Sequence, residues 1–513
     1  MTFKTLTRSR VRSAALRSPG EIWGNAPARS RCMDKALRKA GLGEARGRSM
    51  AANAFTTAYD APRGWLDAWH LQRLPSDVRT HLLVIVSIWV ASACVPVLPV
   101  YTEATCVGKC CESDAAWSAT NPPSRGSVAY DYGLYCRPHA ATKVGAFRSS
   151  YFGGCLIGAV VGGSVSDLYG RRTAVLAAAV VLVAATAACT VAPGPPVYAV
   201  LRFLAGSAQT ALTLAAYVAG LEALNEPWQA PIGSGLFMAT FPLGQVVLLL
   251  SARQLHDWRT LTLFVDALVL AGLVQAALCL RESPKWLASV EARRRGESKA
   301  ELKTDATEAR PPDSPRLRED GNVGAASSAG DEPWGAMVPM MLLWAAISSA
   351  FYGLTLSTGS LMGNLYVNAL GSASVELPAA LLASSLRGTS TVNAQGEAPK
   401  RPWLSLKLAC CFALLIGGTI CALCSICSEA AQTPLSLVSK FFFTLAFNFV
   451  YPYTLEVFQN PTTRTRVMGV CLSSARFGAM LSPLIIARIN MTNSFAVFGL
   501  FAVASSTLAF IRL

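Results

Sequence analysis

The chain has 513 residues, of which 52% are hydrophobic and only 15% charged, and its formal net charge is +15. Soluble domains carry about 25% charged residues, so this balance excludes an ordinary soluble domain and points to a polytopic membrane protein. The bases adjoin apolar spans and form no soluble basic module, which sets nucleic-acid binding aside.

Residues 1–79 read as a basic N-terminal tail, partly disordered; residues 1–50, rich in Arg, Ser and Ala and poor in acids, also fit a transit peptide. A helix needs about 20 mostly apolar residues to cross the hydrocarbon core. Twelve stretches qualify, near 80–101, 145–166, 173–192, 196–220, 232–252, 260–280, 336–357, 366–386, 403–426, 434–455, 467–488 and 495–512. Helices are the natural spanning form because each satisfies its own backbone hydrogen bonds. The spans divide six and six, into halves at 80–280 and 336–513, around a linker at 281–335. The linker holds EARRRGESKAELK, which reads as a surface helix, and a stretch from Pro311 to Asp331 that reads as disordered. Lys and Arg concentrate in the tail and in residues 281–318, so the positive-inside rule puts both termini and the linker in the cytoplasm and residues 102–144 outside.

That outer loop carries Cys106, Cys110, Cys111 and Cys136, where disulfides are permitted but their pairing cannot be deduced. Most other cysteines lie in apolar runs, as small packing residues do. Cys421, Cys424 and Cys427 are spaced C-x-x-C-x-x-C, but they lie at a span and lack a fourth cysteine at iron–sulfur spacing. No metal site is read, and no cofactor. Four scattered histidines, no nucleophile elbow and no phosphate-binding Gly-Lys loop argue against an enzyme or an ATP-driven pump. The Asn490-Met491-Thr492 sequon lies close to the membrane.

Between spans 2 and 3 stands GSVSDLYGRR, residues 163–172. Gly163 and Gly170 allow a tight turn and close helix approach. Asp167 can pair at the cytoplasmic mouth, and Arg171 and Arg172 hold that end inside. With six spans on either side of a long inner linker, this hairpin resembles that of the major facilitator superfamily. RESPKWL (281–287), YGLTLSTGSLMGNLY (352–366), VELPAALL (375–382) and the run KFFFTLAFNFVYPYTLEVFQNPTTRTRVMGVCLSSARFGAMLSP (440–483), together with the Cys-bearing loop, resemble segments of its organic ion transporter family in the same order. The resemblance covers residues 78–513. It implies an all-α membrane protein with twelve transmembrane helices in two six-helix halves, a midplane site and alternating access. The substrates it implies are organic cations, anions or zwitterions such as carnitine. The chain departs from the family between spans 8 and 9, where SLRGTSTVNAQGEAPKRPW lacks the repeated hairpin's Asp. After span 4, EALNEPWQAP lacks the usual arginines.

Ionisable groups at membrane depth are costly and functional by default. Arg202 opens LRFLAGSAQT in span 4, where a structural tie to a neighbouring helix and a part in gating both stand. Glu222 and Glu456, at inner helix ends, resemble positions that pair with inner arginines. With Asp167, Arg171, Arg172 and Arg464 they are expected at the inner gate. Lys440 starts its segment near the outer end of span 10, where it can snorkel. Arg476 sits mid-span. The resemblance implies Asp there in cation carriers and Arg in carriers of anions and zwitterions, while Asn448 stands where cation carriers often have Glu. A fixed positive charge without a nearby acid favours a carboxylate. Ala380 replaces the Lys of some anion carriers, which leaves room for a monoanion or zwitterion. The competing reading of Arg476 is an internal pair with Glu376. Tyr217, Trp344, Phe351 and Tyr352 are implied to face the central path, able to stack on rings or hold a quaternary ammonium, and Gln245 joins these candidate contacts.

The expected protein is a secondary carrier of small organic ions, leaning to anions or zwitterions, in the plasma membrane or an organelle membrane. Its partners are the substrate, the lipid bilayer and a coupling sodium or proton, or an exchanged anion. An organic cation carrier, a sugar or nutrient carrier of the same superfamily, and a membrane solute sensor without transport are the alternatives.

Overall fold

The structure is a computed structural model that describes residues 74–103, 126–134, 139–225, 228–229, 232–295, 334–386, 405–458 and 461–513. The four cysteines of the outer loop, the departures after span 8 and most of the tail and linker lie outside the described residues. Twelve long helices are described. The first six are α1 (Ser76–Val97), α2 (Ala140–Tyr169), α3 (Arg171–Thr190), α4 (Pro195–Glu222), α5 (Phe237–Gln254) and α6 (Trp258–Cys279). A shorter helix, Pro284–Arg295, follows. The second six are α7 (Trp334–Leu356), α8 (Leu365–Leu386), α9 (Leu406–Cys424), α10 (Glu429–Val457), α11 (Pro461–Arg488) and α12 (Met491–Arg512).

Local chemistry sets the helix ends. Asp257 and Ser405 cap α6 and α9 by accepting the backbone N–H of Thr260 and Leu408. Pro195 sits in the first turn of α4, where a missing N–H costs nothing. Among the described residues, eleven helices are long and apolar enough to cross a membrane. The remaining one, α5, is lengthened by a wide turn at Ile232–Leu236 and ends on Arg253-Gln254. Large apolar side chains such as Val160, Leu250, Leu278, Val367 and Ile511 lie exposed on the outside of the bundle. Large apolar side chains exposed on many helices suit lipid as the surrounding solvent.

Inside the bundle, small residues let backbones meet. A Cβ on Gly154, Gly158 or Gly206 would fall 1.9, 2.1 and 2.0 Å from the carbonyl oxygens of Phe203, Ser207 and Tyr151, so α2 and α4 pack in near contact. In the second half Gly478 of α11 stands in the same relation to Ala345 of α7. The halves meet through α2 with α11 and α5 with α8. Ser149 Oγ donates to the Met480 carbonyl at 2.8 Å, and Tyr366 Oη donates to the Ala252 carbonyl at 3.3 Å. Both contacts lie toward the end of the bundle that carries the loop between α1 and α2, here the loop end; the opposite end carries the Gly163–Arg172 hairpin.

Candidate functional site

A cavity of about 170 Å³ lies between the halves. Its walls are largely aromatic, with Trp89, Phe152 and Phe241 from the first half facing Phe351, Tyr352, Phe447 and Tyr451 from the second. Ring contacts bridge the halves at this cavity, Phe152 with Tyr352 at 4.8 Å and Phe241 with Phe351 at 6.0 Å, and Tyr101 meets Tyr366 across them at 6.4 Å. Gln209, Thr213, Thr444, Asn448, Glu376 and Arg476 give the lining its polar groups. Asn448 donates to the Thr444 carbonyl one turn back.

The two charges on this wall differ in kind. Glu376 pairs with Lys440 at 2.7 Å and accepts the Gln245 amide at 2.9 Å on each of its oxygens. Lys440 also donates to Ser372 and sits 5.2 Å from the Phe351 ring centre. Acid and base therefore cancel. Arg476 has Tyr352, Cys155 and Tyr451 as its polar neighbours, and no carboxylate among the described residues pairs with it. Two expectations change accordingly. Glu376 belongs to Lys440, not to Arg476. Lys440 does not snorkel: it is 1% exposed, because it lies eleven residues into α10, roughly 16 Å of helix from the end.

The other expected contacts stand behind the wall. Trp344 is buried between α7 and α10, with its indole N–H on Thr454 Oγ1 at 2.9 Å. Tyr217 packs against Trp89 and Phe237, rings that do line the cavity. Gln245 reaches Glu376 across the boundary between the halves.

At the hairpin end, Gly170 has φ +102°, a left-handed conformation that a side chain disfavours. A Cβ there would also fall 2.4 Å from the Glu282 carboxylate. Glu282 accepts the first N–H groups of α3, from Arg171 at 2.6 Å and Arg172 at 3.1 Å. A carboxylate in that place satisfies donors that have no partner within the helix, and it meets the positive end of the dipole. The Arg171 guanidinium bridges Asp167 at 2.7 Å and Glu222 at 3.1 Å. Arg172 donates to the Ala277 carbonyl at 2.7 Å, and Trp286 donates to the Asp167 carbonyl at 3.0 Å. Gly163 does not make the expected close approach, since its nearest neighbour would be Leu214 at 3.8 Å; Gly162 makes it, 2.5 Å from Ala211. Glu456 is exposed near the end of α10, and the Arg464 side chain lies outside the described residues.

Arg202 lies at the loop end, far along α4 from this hairpin. It is 2% exposed and pairs with Glu103 at 3.5 Å. Glu103, wholly buried, also holds Arg148 at 3.2 Å and accepts from the Tyr198 hydroxyl at 2.9 Å. Two arginines thus share one acid. Sequence reasoning missed Glu103, Arg148, Glu282 and Asp266, a buried acid in α6 that accepts from Thr186. For Glu282 a signal existed, since it stands inside RESPKWL. The others carry no motif, and only the fold brings their partners together.

The comparisons with known proteins agree with this architecture. A profile of the Major Facilitator Superfamily matches residues 80–483. The chain is 30% identical to solute carrier family 22 member 15 of Xenopus tropicalis, over 72% of this chain and 70% of that one. It is 28% identical to the human organic cation/carnitine transporter 2, over 72% of this chain and 65% of that protein. Its fold is similar to the partially occluded, inward-open xylose transporter XylE from E. coli, with a TM-score of 0.56, 14% identity and coverage of 84% and 97% of the two chains. The chain therefore belongs to the Major Facilitator Superfamily and, within it, to the organic ion transporter family. It is a multi-pass integral membrane transporter with an all-α fold.

Proposed function

We propose that the protein carries compact organic anions or zwitterions across the plasma membrane by alternating access. The observation that carries this reading is Arg476, a guanidinium in mid-helix on the cavity wall without a paired carboxylate among the described residues, beside a Glu376 already neutralised by Lys440. The cavity's fixed charge is then positive, and attraction in a low-dielectric cavity selects carboxylates. Its volume is below the roughly 300–1,000 Å³ of ordinary ligand pockets, which suits a small solute. The aromatic wall suits a ring or a quaternary ammonium, and the carnitine named for one relative carries both a carboxylate and such an ammonium.

The topology that fits puts the hairpin end in the cytoplasm, because the basic segments adjoin it. Contacts between the halves at the loop end close the outer side, and the hairpin charges would hold or release the inner one. A sodium ion, a proton or an exchanged anion is the candidate for coupling. An organic cation carrier is the second reading, supported by the aromatic rings and by the name of that same relative. Uptake of labelled carnitine, benzoate and tetraethylammonium, measured beside surface abundance, decides between them. Uptake of tetraethylammonium alone would defeat the anion reading.

A further inference from the structure

Tyr151 of α2 lines the central cavity and is 1% exposed. Its hydroxyl has no nitrogen or oxygen hydrogen-bond partner among the described residues, and only the Cys155 thiol stands within hydrogen-bonding reach of it. A buried hydroxyl without a strong acceptor is costly, so a donor in this state on a cavity wall calls for an acceptor from outside the chain. The Cys155 thiol lies beside it, one turn on, but a thiol sulfur is a weak acceptor. The other groups within electrostatic reach are Arg476, Tyr352 and Arg202. Arg202, which is not among the residues lining the cavity, stacks on the Tyr151 ring, 4.8 Å from its centre. A cation on the ring face draws density from the phenol and makes its O–H a better donor.

We propose that the Tyr151 hydroxyl is a direct ligand of the transported anion, completing a cradle of donors with Arg476 and Tyr352. This deepens the anion reading above and rests on it. The guanidinium has no acceptor capacity, and each hydroxyl has a proton to give. A carboxylate, with about four acceptor sites on two oxygens, meets all three. The cradle spans the halves. Tyr151 moves with α2 and the first half, while Tyr352 and Arg476 move with α7, α11 and the second. A bound anion therefore ties the halves together through its own oxygens, and losing either side's donors weakens it.

Tyr151→Phe tests this with the loss of one oxygen, because the ring keeps its contacts with Arg202 and Phe152. The probe is radiolabelled benzoate, bound at equilibrium to the purified full chain in lipid nanodiscs, with the melting temperature measured alongside. Tyr151→Phe is expected to raise the Kd for benzoate at least tenfold, with a melting temperature equal to or above wild type in the absence of ligand. A Kd within twofold of wild type overturns the proposal. So does a ligand-free protein that melts well below wild type, since the hydroxyl would then be structural. If Arg476→Ala loses benzoate while Tyr151→Phe keeps it, only the Tyr151 role falls. If wild type binds no benzoate, or Arg476→Ala binds it as well as wild type does, the anion reading falls and takes the Tyr151 role with it.

Discussion

Arg476 and the Glu376–Lys440 pair stand on the same cavity and should answer differently to mutation. Loss of a charge-assisted hydrogen bond costs roughly 1.5–3 kcal/mol, about 10- to 150-fold in affinity. Arg476→Ala should therefore lose anion uptake by that factor at normal surface abundance. Arg476→Lys should recover only part, because an ammonium lacks the bidentate fork. Unchanged benzoate uptake in Arg476→Ala at normal abundance removes the carboxylate role. Removing one member of a buried pair leaves the other charged and unsolvated, which costs roughly 3–5 kcal/mol. Glu376→Gln should accordingly lower abundance, and the double change Glu376→Gln with Lys440→Met should restore it. Equal abundance for the single and double variants would show that the pair is not a unit of stability. The sequence marked Arg476 because an arginine amid apolar residues is visible without a structure. It did not give Glu376 its partner. Lys440 lies 64 positions away on another helix, and no spacing rule joins them.

At the scale of the element, the hairpin between α2 and α3 was legible as a whole, and its wiring was not. Asp167, Gly170 and Arg171 follow from the motif. Glu282, which caps α3 from beyond α6, does not, since a cap normally comes from the residues just before the helix. The structure also ranks the two acids on Arg171. The Asp167 side chain is 69% exposed and Glu222 only 19%. Exposed pairs contribute little, so Glu222→Gln should slow turnover more than Asp167→Asn, and both should leave substrate affinity near wild type. Exchange rate and Kd in proteoliposomes check this; a large loss of affinity in either variant contradicts a gate. Gly170→Ala should be the most damaging hairpin change, since it adds left-handed strain to a clash with Glu282. A Gly170→Ala protein with wild-type rate and abundance would show that the turn relaxes freely.

Across the whole molecule, the twelve helices were readable because each is a long, mostly apolar stretch, eleven of them apolar enough to cross a membrane, while the closed side was not, because closure depends on contacts between distant helices. Gly145 of α2 is such a contact. A Cβ there would fall 2.7 Å from the Ala487 side chain and 2.8 Å from the Pro483 carbonyl of α11. Gly145→Leu is a wedge at the loop end, and it should favour the state in which α2 and α11 separate. Rocking carriers need both states, so uptake should fall while abundance holds. The cavity should also become reachable from outside. Cys155 reports on that, because it lines the cavity and is 1% exposed in the closed arrangement. A membrane-impermeant thiol reagent applied outside cells should label Cys155 faster in Gly145→Leu than in wild type, with Cys155→Ala as the blank. Reagent applied to the cytoplasmic face of inverted vesicles should show the reverse. The shift needs no new contact with substrate. It follows from a few kcal/mol of overlap added to one state and not the other. Normal uptake with unchanged labelling from both faces would mean that α2 and α11 do not part during transport, and the rocking mechanism would fail for this protein.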